Sequence, residues 1–170
     1  DKTVPIIGDL MTSRWAYEAL AVTQFKDNAY EKYFFEAECL SKNAGYYRSY
    51  AIPGLEEILK DTEELFANNS DTFRYHNNLK VLRSELSNIG DDIGINTGPF
   101  LDSLTPLLYH PGFNTAVNDM LDKALIVYRN RYRNAVNMRD STYKNLVDRL
   151  GGEENFLSFK QKYYNKQLAA

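Results

Sequence analysis

Histidines, cysteines and paired carboxylates carry most protein chemistry, and this chain of 170 residues holds two His and one Cys. His76 lies between Tyr75 and Asn77 in a helical stretch, and no Glu stands three residues before it or before His110. The Glu-x-x-His spacing that feeds a carboxylate-bridged metal pair from helices is therefore missing. His110, inside Tyr109-His110-Pro111-Gly112, reads as a turn residue, because Pro and Gly punctuate the backbone on its C-terminal side. Cys39 has no His close in sequence and sits among Tyr and Phe, so it is expected to be a buried structural thiol.

Carboxylates offer two cation candidates. Glu57, Asp61 and Glu64 fall on one helical face, but Lys60 lies beside them, and a solvated acidic face is the simpler expectation. Asp91-Asp92-Ile93-Gly94-Ile95-Asn96 places oxygen ligands around a glycine, with a spacing that is not that of an EF-hand loop. Gly94 and Gly98 are not followed by Lys-Ser/Thr and do not make a phosphate cradle. Asn68-Asn69-Ser70 matches a glycosylation sequon at base-rate level only. No nucleophile, base and orienting group converge. The expectation is a non-enzymatic chain with no catalytic residue, no metal site and no cofactor of its own.

Composition narrows the partners. Net charge is −3, with hydrophobic residues at 44% and charged residues at 25%, which is the balance of a globular domain. Nucleic-acid binding wants a basic stripe, and the densest one here, Arg129, Arg131, Arg133 and Arg139, is interleaved with Asn and Tyr. No nucleic-acid partner is expected. Aromatics reach 14%, carried by 13 Tyr and 9 Phe, and suit half-buried helix faces and interfaces. No run approaches the roughly 18 apolar residues of a membrane span. The chain opens on Asp1 without a signal peptide, which reads as a fragment or a processed chain.

The elements follow from periodicity. Asp1–Met11 reads as extended, and a first helix starts at Thr12 or Ser13 and fades near Asp27. Asn28 with Glu31 three residues on marks the cap of a long second helix carrying Tyr30, Phe34, Ala37, Ala44 and Tyr47, which Ile52-Pro53-Gly54 should end. Leu55, Ile58, Leu59, Leu65 and Phe66 give a third. After a turn at Asn68–Asp71, Tyr75, Leu79, Leu82, Leu86 and Ile89 give a fourth that ends at Gly90. Gly90–Gly112, with its Gly and Pro, reads as a long ordered loop with a short helix near Phe100–Leu104. Asn114 is expected to cap the longest helix, whose stripe runs Val117, Leu121, Ala124, Tyr128, Tyr132, Ala135, Leu146 and Leu150, with a bend near Asp140-Ser141. Gly151-Gly152 stops it, and a last helix from Glu153 carries Phe156, Phe159 and Tyr163 and runs to Ala170. The sum is an all-α antiparallel bundle of four to five main helices with one long ordered loop at about 90–113. It is a single domain overall, with 1–27 as an approach segment and first helix and 28–170 as the bundle.

One segment carries a family likeness. Val4-Pro5-Ile6-Ile7-Gly8-Asp9-Leu10-Met11-Thr12-Ser13-Arg14-Trp15-Ala16-Tyr17-Glu18-Ala19-Leu20, then Gln24-Phe25, resembles the stretch after the fifth membrane helix of G-type (ABC-2 class) ATP-binding-cassette exporters, above all bacterial long-chain members. The motif residues are Ser13, Arg14, Trp15, Ala16, Tyr17, Glu18, Ala19, Leu20 and Phe25, and the likeness covers about an eighth of the chain. Trp15 and Tyr17 suit a membrane–water interface, and Arg14 and Glu18 are spaced to pair on one helix face. The resemblance implies that the residues after about 26 form an enlarged extracytoplasmic (periplasmic) loop between the last two membrane helices, helping to gate, stabilise or recruit. ATP and Mg would belong to a nucleotide-binding domain outside this chain. The implied partners are the rest of the transporter with its membrane spans, and a second copy or a periplasmic protein. The alternative is a stand-alone secreted helical module that binds a protein or an apolar ligand.

Overall fold

A computed structural model describes residues 22, 23 and 26–164, and every regular element among them is helical. Of the expected first helix, Val22, Thr23, Lys26 and Asp27 are helical, and the rest of it, with the motif residues Ser13, Arg14, Trp15, Ala16, Tyr17, Glu18, Ala19, Leu20 and Phe25, lies outside the described residues. In order, a 3-10 turn at Glu31–Tyr33 precedes α1 (Phe35–Tyr46), a π turn (Tyr47–Ala51) and α2 (Ile52–Asn68). Then come α3 (Thr72–Ile93), the short α4 (Gly98–Leu101), a 3-10 turn (Pro111–Phe113), α5 (Asn114–Leu150) and α6 (Glu153–Tyr163). The fold is an all-α helical bundle. It divides into one unit of residues 41–133 and another of 1–40 with 134–170.

In the 41–133 unit the core is the meeting of three stripes. Leu79, Leu82, Leu86 and Ile89 of α3 are buried, as are Ile52, Leu55 and Leu59 of α2 and Val117, Leu121, Ala124 and Tyr128 of α5. Each of these leucines removed to Ala would cost about 2–5 kcal/mol, the usual range for a core truncation. α2 and α3 form an antiparallel hairpin, fixed by Asp61, whose carboxylate accepts from Arg74 at 2.8 Å and Asn78 at 2.7 Å. The hairpin turn has two left-handed residues, Asn69 (φ 45°) and Asp71 (φ 34°), and the Asp71 carboxylate accepts the Arg74 amide as the cap of α3. Asn114 beside Glu63 and Tyr128 against Tyr47 run α5 antiparallel to the chain from 47 to 63.

Four expectations for this unit change. Pro53 does not end a helix: the backbone passes from α1 into α2 through the π turn, where the Ile52 amide reaches back to the Tyr47 carbonyl. That widened turn makes room for a proline ring that would otherwise crowd the preceding turn. Gly90 does not end α3, which continues to Ile93 and stops at left-handed Gly94 (φ 74°). Gly90 is required for a different reason, since a Cβ there would meet Thr97 Cγ2 at 2.4 Å and the Ile95 carbonyl at 3.0 Å. The 90–113 segment is therefore less of a loop than expected: its start is helical, α4 and a 3-10 turn interrupt it, and Leu101, Leu104 and Tyr109 anchor it in the core. Asn114 does not cap α5 from outside. It is the first residue of α5, and its side chain accepts from the Tyr109 hydroxyl at 3.0 Å and donates to Glu63 at 3.0 Å.

In the other unit, the 28–34 segment packs on the C-terminal part of α5 and on α6. Asn28 caps the 3-10 turn, its Oδ1 accepting the amides of Tyr30 (2.8 Å) and Glu31 (3.0 Å). Tyr30, Phe34, Leu146 and Phe156 form the core, with Val147, Leu150, Phe159 and Tyr164 around it. α5 is helical without a break at Asp140-Ser141, and Gly151 (φ 80°) with Gly152 (φ 124°) turns the chain into α6. α6 ends at Tyr163 instead of running on, because Tyr164 is extended. The expected continuation to Ala170 lies outside the described residues.

Candidate functional site

The residues that sequence reasoning singled out are not gathered into one place. His110 is a turn residue, with Nδ1 accepting the Gly112 amide at 3.1 Å and the ring against Phe113. His76 is exposed on α3. Cys39 is exposed, not buried. The buried face of this stretch passes through Phe34, Ala37 and Ala44, and Cys39 is two residues on from Ala37, about 200° round the helix.

Of the cation candidates, Asp61 is held by Arg74 and Asn78 on a polar shelf of about 340 Å³ that also includes Glu57, Lys60 and Glu64. Asp92 is likewise engaged. Its carboxylate accepts from the Tyr128 hydroxyl at 2.6 Å and from Arg131, which also donates to the Asp92 carbonyl at 2.8 Å. The Tyr128 hydrogen bond, and after it Arg131, hold Asp92 below the usual carboxylate range despite partial burial. Burial and then the Asp92 hydrogen bond raise the Tyr128 phenol. Asn96 closes a turn on the Gly98 amide at 3.1 Å. Among the described residues no group of three His, Cys, Asp or Glu is placed to hold a metal ion. The arginine run is similarly spent in part, with Arg131 on Asp92 and Arg139 on Asp140.

The arrangement with most chemical character was not named from sequence as a site. It is a cavity of about 370 Å³ in the unit of 1–40 and 134–170, walled by Tyr30, Phe34, Tyr143, Phe156 and Tyr164. Glu31, Glu38, Arg139, Asp140 and Lys160 complete it. The Asn28 cap fixes the backbone at Tyr30 and Glu31, α5 supplies Arg139, Asp140 and Tyr143, and α6 supplies Phe156 and Lys160. Tyr30 is the hub. Its ring centroid lies 5.2 Å from Phe34, 6.0 Å from Phe156 and 5.8 Å from Tyr164, the last edge-on at 88°. Tyr143 meets Phe156 at 4.8 Å and donates its hydroxyl to Glu153 at 2.8 Å. Glu31 is 3% exposed. Burial, and after it the negative charge of Glu31, push the Tyr30 phenol up to about 12, so it stays a neutral donor through the physiological range.

Such a cavity has the size of a small-molecule site and combines ring faces with a few charges, but it lacks a nucleophile beside a base. The spacing of Tyr30 with Phe34 and of Phe156 with Phe159 was visible as two apolar faces. That they close on one another depends on the Gly151-Gly152 reversal and on Asn28. No described helix is long and apolar enough to cross a membrane. No protein-family model, no curated protein and no solved structure matches this chain.

Proposed function

We propose that this chain is a non-catalytic extracytoplasmic domain of an ATP-binding-cassette exporter, inserted between its last two membrane helices. There it helps to gate, stabilise or recruit a partner to the transport route. The likeness of Pro5–Phe25 to G-type exporters suggests the family. The observation that carries the reading is the closure of the domain on itself. Asn28 donates its side-chain amide to the Tyr163 carbonyl at 2.8 Å, across 135 residues. An insertion between two membrane helices must leave where it arrives, and this tie, with Tyr30 packed on Phe156 and Tyr164, is in keeping with that. ATP and Mg act elsewhere in the parent protein on this reading.

Reading the coding sequence on both sides of these 170 residues tests it. A nucleotide-binding domain and several spans before Asp1, with one span just after Ala170, is the expected result. A signal peptide before Asp1 and a stop codon after Ala170 would sink the proposal. That outcome would favour a secreted binding module, a reading supported by the exposed apolar side chains Phe73 (85% exposed) and Leu107 (94%).

A further inference from the structure

The walls of the aromatic cavity specify a class of ligand. A ring face is electronegative, and a cation within about 6 Å of its centroid is attracted to it, most strongly where water is excluded. Tyr30 and Tyr164 meet edge-on at 88°, so they form two walls of a corner rather than a stacked pair. The corner already receives an ammonium: Lys160 Nζ lies 5.8 Å from the Tyr30 centroid and 5.4 Å from that of Tyr164. Three carboxylates, Glu31, Glu38 and Asp140, share the cavity with two cationic side chains, and Arg139 is bonded to Asp140 at 3.0 Å. Glu31 is the most buried of the three. Two further cavities among the described residues have no such walls, being lined mainly by polar and charged side chains with a single Ile or Leu each.

We propose that this cavity binds an organic cation of the quaternary-ammonium or alkylammonium class, caged by Tyr30, Phe156 and Tyr164 with Glu31 in the same lining, and that Lys160 is the resident cation the ligand displaces. A volume of about 370 Å³ admits an ammonium head group with room for the displaced Lys160 stem. Lys160 sits in the third turn of α6 on a flexible four-carbon stem, so its ammonium moves to water at little cost. The site is independent of the exporter reading: either stands if the other fails.

Choline and its uncharged isostere 3,3-dimethyl-1-butanol are the probes, titrated into the whole 170-residue protein with aromatic ring resonances followed by NMR. The expected result is saturable shifts in Tyr30, Phe156 and Tyr164 with choline, and affinity for the neutral isostere weaker by about fivefold or more, the range of a partly desolvated cation–π contact. Tyr164→Leu should weaken choline by a similar factor. Lys160→Gln should tighten it, a gain that a damaged fold does not produce. Unsaturable choline shifts, equal binding of the isostere, or choline binding that Lys160→Gln leaves unchanged or weakens would each overturn the assignment.

Discussion

Replacing Tyr128 by Phe removes one oxygen atom and tests the polar lock that closes the 41–133 unit. Tyr128 is fully buried, stacks on Tyr47 at 4.4 Å, and donates to Asp92 at 2.6 Å. The stack and the buried area survive in Phe, so the loss is the hydrogen bond. A hydrogen bond to an ionised partner contributes about 1.5–3 kcal/mol. The Asp92 side chain is 45% exposed and keeps Arg131, so solvent screening brings the expectation down to about 1–2 kcal/mol. pH separates this from a packing effect. Asp92 has a folded pKa held below its ordinary 3.8, with the Tyr128 hydrogen bond as the largest cause. A depressed carboxylate contributes stability that is present above the unfolded pKa and is lost as pH falls through the folded one. The gap between wild type and Tyr128→Phe in urea unfolding should therefore be full at pH 7 and shrink below about pH 4, the ordinary carboxylate range. A gap under about 0.3 kcal/mol at pH 7, well below any hydrogen bond to a charge, would refute the reasoning, as would one that stays constant down to pH 2.

Gly90→Ala should destabilise the same unit by about 1–3 kcal/mol, the range of overpacking, because its Cβ meets Thr97 and the Ile95 carbonyl. Adding Thr97→Ser should recover part of the loss in thermal melts, since it removes the nearer clash. At the α2–α3 turn, Asp71→Ala loses a cap at a left-handed residue and should cost about 1–2 kcal/mol, whereas Asp71→Gly should cost only a few tenths. Equal losses in chemical denaturation would contradict that account. Asn28→Ala gives up two capped amides and the tie to Tyr163, an expected loss of about 1–2 kcal/mol. Amide exchange should quicken first at Tyr30 and Glu31, and exchange unchanged there would count against the cap.

The helices were legible wherever one buried face kept its period. The α3 stripe Tyr75, Leu79, Leu82, Leu86 and Ile89 is buried throughout, and Asp71 and the Gly151-Gly152 pair act as the punctuation their residue types suggested, whereas Asn28 caps a 3-10 turn and the α-helix expected from it begins only at Phe35. Misreadings arose where one residue type serves two purposes. Pro53 marks a break in local terms, yet a π turn before it lets the backbone continue. Gly90 looks like a helix end, yet it clears space for Thr97, seven residues on, a contact no local rule contains. Asn114 has the chemistry of a cap and spends it on Tyr109 and Glu63, the latter 51 residues away. Cys39 has the residue type and aromatic neighbours of a buried thiol, yet its angle from Ala37 puts it on the outer face. The aromatic cavity was invisible for the same reason as Gly90's role. It assembles residues 30–38 with 139–164, and sequence periodicity reports faces but not which faces meet.

The central claim, an extracytoplasmic domain anchored by its parent transporter, is tested most directly through Cys39. It is the only cysteine of this chain and is exposed, so it reports the side of the membrane on which the domain sits. Intact spheroplasts of the native host would be treated with a membrane-impermeant maleimide and fractionated, and the Cys39 peptide followed by mass spectrometry. Labelling before lysis, on protein that sediments with the membranes, is the predicted result. Labelling only after lysis, or labelled protein in the soluble fraction, would contradict the account.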